Sequence, residues 1–329
     1  MKFISAIVSL GAFSTSSAWT TATSSSRHNV VRTQNLELNM ASRNSQKIAS
    51  RSKWASARGA SDSASVDTIS SGFCTIIGGG RIGSLLEKGG ESLLLKRGDK
   101  ISPENEGTPI LIATRNDSLE KIIEECPENR LKDLVFLQNG YLDGFLAEKG
   151  LSDNTQALLY LSVPALGVEP VDGITTVNPE GLTAATGVHA QAFADRLDAL
   201  GLKCNVLTAD QYKPAMFEKL IWISTYMLVG VANDCKSVGQ AGTDHKELVE
   251  QVINELVRAV SEKEGIAFKE GYVERLAAYT TVVADFPCGV KEFEWRNEYF
   301  YKLGDEACPI HNGLLRQCKE QGKIAFELP

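Results

Sequence analysis

Six consecutive residues, Gly78-Gly79-Gly80-Arg81-Ile82-Gly83, carry the clearest chemistry in a chain of 329 residues. Their glycines are spaced G-x-G-x-x-G. The apolar run Phe73-Cys74-Thr75-Ile76-Ile77 leads into them like a buried parallel strand. Residues 82–88 continue with a helical pattern, and Leu93-Leu94-Leu95 supplies a second strand. In that setting Gly78 makes the tight turn, Gly80 lets a pyrophosphate approach the backbone, and Gly83 lets the helix pack on the strand. The helix start adds unpaired N–H groups and a partial positive charge. Gly78, Gly80, Arg81, Ile82 and Gly83 are therefore expected to hold a dinucleotide. Lys96-Arg97-Gly98-Asp99 follows the second strand, where NAD-binding chains usually carry an acid for the ribose hydroxyls. A guanidinium forks onto phosphate, so Lys96 and Arg97 point to the 2′-phosphate of NADP(H). An exposed basic turn is the other reading of the same pair.

Two more strand ends bear polar residues. Ala113-Thr114-Arg115-Asn116-Asp117 closes the strand begun by Ile110-Leu111-Ile112, and Arg115 there is placed to reach a phosphate or an anionic substrate. Asn116 and Asp117 read better as helix caps. Leu134-Val135-Phe136-Leu137 runs straight into Gln138-Asn139-Gly140. Asn-Gly alone marks a turn. At a carboxyl strand end it also suits a nicotinamide ribose or a substrate.

These elements imply an α/β chain: a doubly wound parallel sheet of Rossmann type over residues 71–207, then an all-helical domain over 208–329. Further short runs, Leu158-Leu159-Tyr160-Leu161 and Cys204-Asn205-Val206, extend the sheet, with helices over 118–125 and 188–200. Residues 173–177 read as one more strand, antiparallel at an edge. Beyond Thr208 the pattern becomes helical. Residues 210–231 form one long helix, apolar nearly all round, with Pro214 near its start. Residues 245–264 and 269–286 give two more helices.

The front of the chain has a different character. Lys2 precedes an apolar stretch over 3–13, and Ser16-Ser17-Ala18 offers a cleavage site, so 1–18 reads as a signal peptide. Residues 19–70 are Ser-, Thr- and Arg-rich and poor in acids. Residues 1–66 carry eight basic residues and two acids, against a whole-chain charge of −7, which leaves the body strongly acidic. Signal plus basic transit-like leader, with Trp19 just after the cleavage site, resembles the bipartite presequence of complex plastids. The alternative is a secreted protein with a Ser-rich stalk. An acidic body argues against nucleic acid as a partner. No stretch after the signal approaches about twenty consecutive apolar residues, so no membrane span is expected in the mature form. Seven cysteines, an odd number without a C-x-x-C pair, read as free core thiols. No Cys/His spacing suggests a metal.

In this order, Ile77-Gly78-Gly79-Gly80-Arg81-Ile82-Gly83, Lys96-Arg97-Gly98-Asp99, Leu137-Gln138-Asn139-Gly140, Phe217-Glu218-Lys219-Leu220 and Cys308-Pro309-Ile310-His311-Asn312 resemble the ketopantoate reductases. These belong to the wider 6-phosphogluconate-dehydrogenase-like group. The resemblance covers most of residues 73–315. It implies a Rossmann domain followed by a helical one, and NADPH-dependent reduction of a 2-keto acid carbonyl. It places Lys219 on the family's catalytic lysine, in a W/F-x-K-L pattern. Burial on an apolar helix would lower its pKa, so that it can give a proton to the carbonyl oxygen. A lysine snorkelling to solvent is the plain alternative. Asn139 falls near nicotinamide and substrate. Glu294 falls near a substrate-binding glutamate, with Glu292 as the other register.

The chain also departs from the family. The asparagine expected one helical turn after the lysine is Ile223, and the next turn offers Met227. The family's lysine after the third strand is Arg115. The expectation is therefore an NADPH-dependent oxidoreductase of a small, anionic, 2-keto-acid-like substrate, with a homodimer as the candidate assembly. A non-catalytic NADP(H)-binding redox sensor is the alternative, and ketopantoate reductase proper a weaker one.

Overall fold

The computed structural model describes residues 72–329. The expected signal (1–18) and leader (19–70) fall outside the described residues.

The chain opens with alternating strands and helices. They are β1 (Cys74–Ile77), α1 (Arg81–Glu87), β2 (Ser92–Leu95), β3 (Ile110–Ile112), α2 (Leu119–Glu125), β4 (Leu134–Phe136), α3 (Asp143–Glu148) and β5 (Thr155–Leu158). A small hairpin of β6 (Leu161–Ser162) and β7 (Val171–Asp172) follows, then β8 (Ala184–Thr186), α4 (Ala190–Ala199) and β9 (Asn205–Val206). The main sheet runs β2-β1-β3-β4-β5-β8-β9. Pairing is parallel from β2 through β5, and β8 is antiparallel to β5. Strands β3 and β4 are buried along their whole length, which explains their unbroken Ile, Leu, Val and Phe. Separate apolar clusters cover the two faces of the sheet. Strand order reverses at β1, so the loops after β1 and β3 flank the switch point where open α/β sheets bind ligands.

The remainder is helical: α5 (Ala209–Ala232), α6 (Val238–Asp244), α7 (Lys246–Glu264), α8 (Tyr272–Val282), α9 (Phe293–Arg296), α10 (Glu298–Lys302) and α11 (Pro309–Glu320). Thr208 and Gln211 form a capping box that starts α5. The largest apolar cluster is centred on α5, with α7, α8 and α11 around it. Helix α5, expected as a long helix apolar nearly all round, is long and apolar enough to cross a membrane by length and composition, although no membrane span was expected. Its sides are buried in protein instead.

Three other expectations need correction. Residues 173–177 are not a strand. Gly173 packs against the Tyr160 carbonyl, to which its N–H donates at 2.8 Å, and against the Tyr279 ring, and Thr175 and Asn178 then close a turn. The antiparallel partner is β8 instead, whose Ala-Ala-Thr carries little β signal. The strand expected at 158–161 begins earlier, at Thr155, and ends at Leu158, which frees Tyr160 for another task. Helices α3, α6, α9, α10 and α11 were not anticipated. All seven cysteines are free thiols.

Candidate active site

The glycine loop joins β1 to α1. Gly78 has φ +105°, and a Cβ on it would lie 2.9 Å from the Ala113 carbonyl oxygen. A Cβ on Gly83 would collide with the Gly78 carbonyl. Both positions thus need glycine for packing within the protein. Gly80 does not: its φ is −75°, and nothing lies within 4 Å of its Cβ position. Open space there, over the start of α1, is what an approaching phosphate needs. No side chain caps α1 and no acid stands in its first turn, so its N–H groups remain available to an anion. The loop therefore fits the pyrophosphate of a dinucleotide.

Other cofactor candidates are placed as follows. Ile82 is half-buried on α1, packed against the sheet. Arg81 turns away from the loop and donates from Nη1 to the carbonyls of Val163 (3.0 Å) and Pro164 (3.2 Å). Lys96 and Arg97 are exposed after β2, and neither enters an ion pair among the described residues. Asp99 accepts from the Lys96 N–H at 2.7 Å and so shapes the turn that presents them. Arg115 is paired with Asp117 at 2.7 Å, its side chain 79% exposed. Asn116 is buried and donates to the Asn139 carbonyl at 3.2 Å, tying the ends of β3 and β4 together.

Asn139 is exposed beside Gly140, and this loop is fastened to the helical half. The Tyr141 N–H donates to the Trp295 carbonyl at 2.7 Å. Gly140 has φ +136°, and a Cβ there would press on the same carbonyl. The Tyr141 ring packs on Phe217 and Tyr299. The end of β4, the start of α5 and helices α9 and α10 therefore meet at one place.

Lys219 lies on α5 near that meeting point, only 6% exposed. Its Nζ sits 4.0 Å from the centroid of Tyr160, 4.9 Å from Tyr279 and 5.0 Å from Trp222. No hydrogen bond or ion pair reaches it from the described residues. Three aromatic rings attract an ammonium but do not replace its water shell. Burial, helped by the positive charge of Arg296, lowers its pKa to about 7. The neighbouring Glu218 does not help, because Arg275 engages both of its oxygens at 2.7 and 3.0 Å. Ile223, one turn on, is buried and apolar.

Glu294 is exposed on α9 and is not brought to the lysine. Glu292 stands before that helix with φ +52°, unusual for a non-glycine residue, and is paired with Arg296. Arg296 is the residue that sequence reasoning missed. The signal was the run of charges among aromatics in 291–298, but nothing in the pattern told which charge turns inward. His311 is buried and hydrogen-bonded to Asn297 and Asn312, a packing role consistent with its pKa of about 4.

No family model matches the chain, and no curated protein matches it in sequence. Solved structures do match in fold. The 2-dehydropantoate 2-reductase of Methylococcus capsulatus aligns over 77% of this chain and 98% of its own, at 15% identity and a TM-score of 0.55. The dimeric ketopantoate reductase of Staphylococcus aureus aligns over 77% and 100%, at 17% identity and a TM-score of 0.51. The chain has the ketopantoate reductase fold. A D-mandelate dehydrogenase, solved with NADH and anilino(oxo)acetate, shares it over 76% of this chain and 99% of its own, at 14% identity and a TM-score of 0.54. The ketopantoate reductase fold therefore accounts for the α/β sheet and the helical half as one arrangement. Identities this low speak for the fold and leave the chemistry to the residues.

Proposed function

We propose that the protein is an NADP(H)-dependent oxidoreductase that reduces the carbonyl of a small 2-keto acid. The observation that carries this is Lys219: a buried lysine with no anionic partner among the described residues and a pKa of about 7, beside the carboxyl edge of a parallel sheet with a dinucleotide-type glycine loop. Strand β5 ends two residues before Tyr160, whose ring holds the lysine, so β1, β3, β4 and β5 all deliver residues to that edge. The reduced nicotinamide would supply hydride to the carbonyl carbon. Gly80 and the start of α1 would hold the pyrophosphate, Lys96 and Arg97 the 2′-phosphate, and Asn139 the nicotinamide ribose. Lys219 would donate a proton to the carbonyl oxygen, which a pKa near the working pH favours. Tyr160, Trp222 and Tyr279 keep water away from it and fix its direction.

Titration with NADPH and NADH tests the cofactor. NADPH is expected to bind more tightly, and Lys96→Ala/Arg97→Ala to weaken NADPH by about tenfold to a hundredfold with NADH unchanged. Tighter binding of NADH by the parent protein would remove the 2′-phosphate role. A screen of 2-keto acids then tests the reaction. The enclosure of Lys219 by three rings gives some support to the non-catalytic redox sensor, which predicts cofactor binding with no turnover of any carbonyl. The dimeric Staphylococcus aureus protein supports a homodimer, checked by sedimentation. For location, the leader composition supports a plastid.

A further inference from the structure

We infer that Arg296 forms a carboxylate-binding subsite beside Lys219, so that the substrate is held by its carboxylate on Arg296 while its carbonyl faces the lysine. This rests on the reductase reading above and names the group that makes an anion the preferred substrate. Arg115, the arginine suggested by the sequence, is far exposed and already paired with Asp117.

Four observations lead to Arg296. Its Nη2 is paired with Glu292, while its Nε is buried with no hydrogen-bond partner among the described residues. A buried guanidinium N–H without an acceptor costs free energy that a bound carboxylate would offset. The side chain is 16% exposed, so a ligand can reach it where Lys219 alone would be shut in. Its backbone is locked in place: the Arg296 carbonyl accepts from the Ser224 hydroxyl on α5 at 2.8 Å, and its neighbour Trp295 is fastened to the loop after Asn139. Finally, α9 is packed on the helix that carries Lys219, the positive charge of Arg296 bears on that lysine, and among the described residues Glu292 is the one carboxylate engaged with either. The left-handed backbone of Glu292, which aims that carboxylate at Arg296, is the kind of local strain kept at functional sites.

The test uses oxamate, an inert 2-keto-acid isostere, and oxamide, its neutral counterpart. Calorimetric titration is done on the full body with saturating NADPH. The parent protein is expected to bind oxamate at least tenfold more tightly than oxamide. Arg296→Met should lose about thirtyfold to a hundredfold for oxamate and little for oxamide, and Arg296→Lys should keep part of the preference. Glu292→Gln, which releases Arg296 from its internal partner, should bind oxamate more tightly. Equal loss for both ligands, no loss in Arg296→Met, or no preference in the parent overturns the subsite. If Arg296→Met fails to fold, the Lys and Gln variants decide by the same preference. Turnover separates this from the broader reading. Oxamate binding that depends on Arg296 without reduction of any 2-keto acid keeps the subsite and removes the reductase. Reduction of 2-keto acids with KM unchanged in Arg296→Met does the reverse.

Discussion

Lys219→Met is expected to abolish reduction, leave NADPH affinity unchanged and make the protein more stable. The loss of turnover follows from removing the proton donor, worth about 10²–10⁴-fold in general acid catalysis. The gain in stability follows from the same burial that tunes the lysine. Its folded pKa is about 7 against an ordinary 10.5. Between those values the unfolded chain binds the extra proton and the folded chain does not. Stability contributed by this group therefore rises with pH from about 7 to about 10.5, and its cost is fully present below 7. That cost is of the order of 4–5 kcal/mol. Methionine fills similar space among Tyr160, Trp222 and Tyr279 and carries no charge to desolvate. At neutral pH the variant should melt higher, by about 2–4 °C for each kcal/mol recovered. In the parent enzyme, reduction should decline as pH rises through about 7 and the reverse oxidation should increase, because one needs the ammonium and the other the amine. Calorimetry and kcat/pH profiles together check this. Full activity in the variant, or a lower Tm with a flat pH profile, would show that the lysine is only packing.

Gly80→Ala and Gly83→Ala should separate folding from cofactor binding within one loop. A methyl group at Gly80 meets nothing in the protein, and its backbone is one that alanine adopts readily. Its stability should stay within about 0.5 kcal/mol of the parent. The methyl would instead occupy the space over the start of α1, so NADPH affinity should fall by about a hundredfold or more. Gly83→Ala must push α1 off β1, because its Cβ runs into the Gly78 carbonyl. That overpacking costs about 1–3 kcal/mol, and it disturbs the loop as well. Urea unfolding and NADPH titration of the two variants give the comparison. If Gly80→Ala bound NADPH normally, the pyrophosphate would have to lie elsewhere.

The sequence showed the sheet wherever strands were apolar and buried, and it showed the glycine loop because Gly78 and Gly83 have steric reasons and Gly80 leaves space over the helix start. It did not show β8, since Ala184 and Ala185 pair as strand through tertiary context and not by propensity. Lys219 could be singled out by resemblance, but its surroundings could not. Tyr160 and Tyr279 come from positions far apart in the chain, and Tyr160 was itself assigned to a strand. Arg296 was hidden for a related reason. In Glu292-Phe293-Glu294-Trp295-Arg296 every second residue is charged, and only the one-turn helix α9 decides that Glu294 faces solvent while Arg296 turns inward. Expected roles for Glu294 and Arg115 rested on sequence position, and both are exposed, whereas the Glu292–Arg296 pair is largely buried.

The apolar surface of α5 has a consequence for how the protein is made. Synthesis delivers α5 well before α7 and α11, the helices that cover it. Until Lys246–Glu264 and then Pro309–Glu320 have left the ribosome, a 24-residue apolar helix is only partly covered by its own chain. Such a nascent segment is a target for holdase chaperones and for machinery that inserts helices into lipid. Asp210, Lys213, Glu218 and Lys219 put charges into its first half. A lysine kept for catalysis would thus also lower the chance that the chain is mistaken, on its way to folding, for a membrane protein.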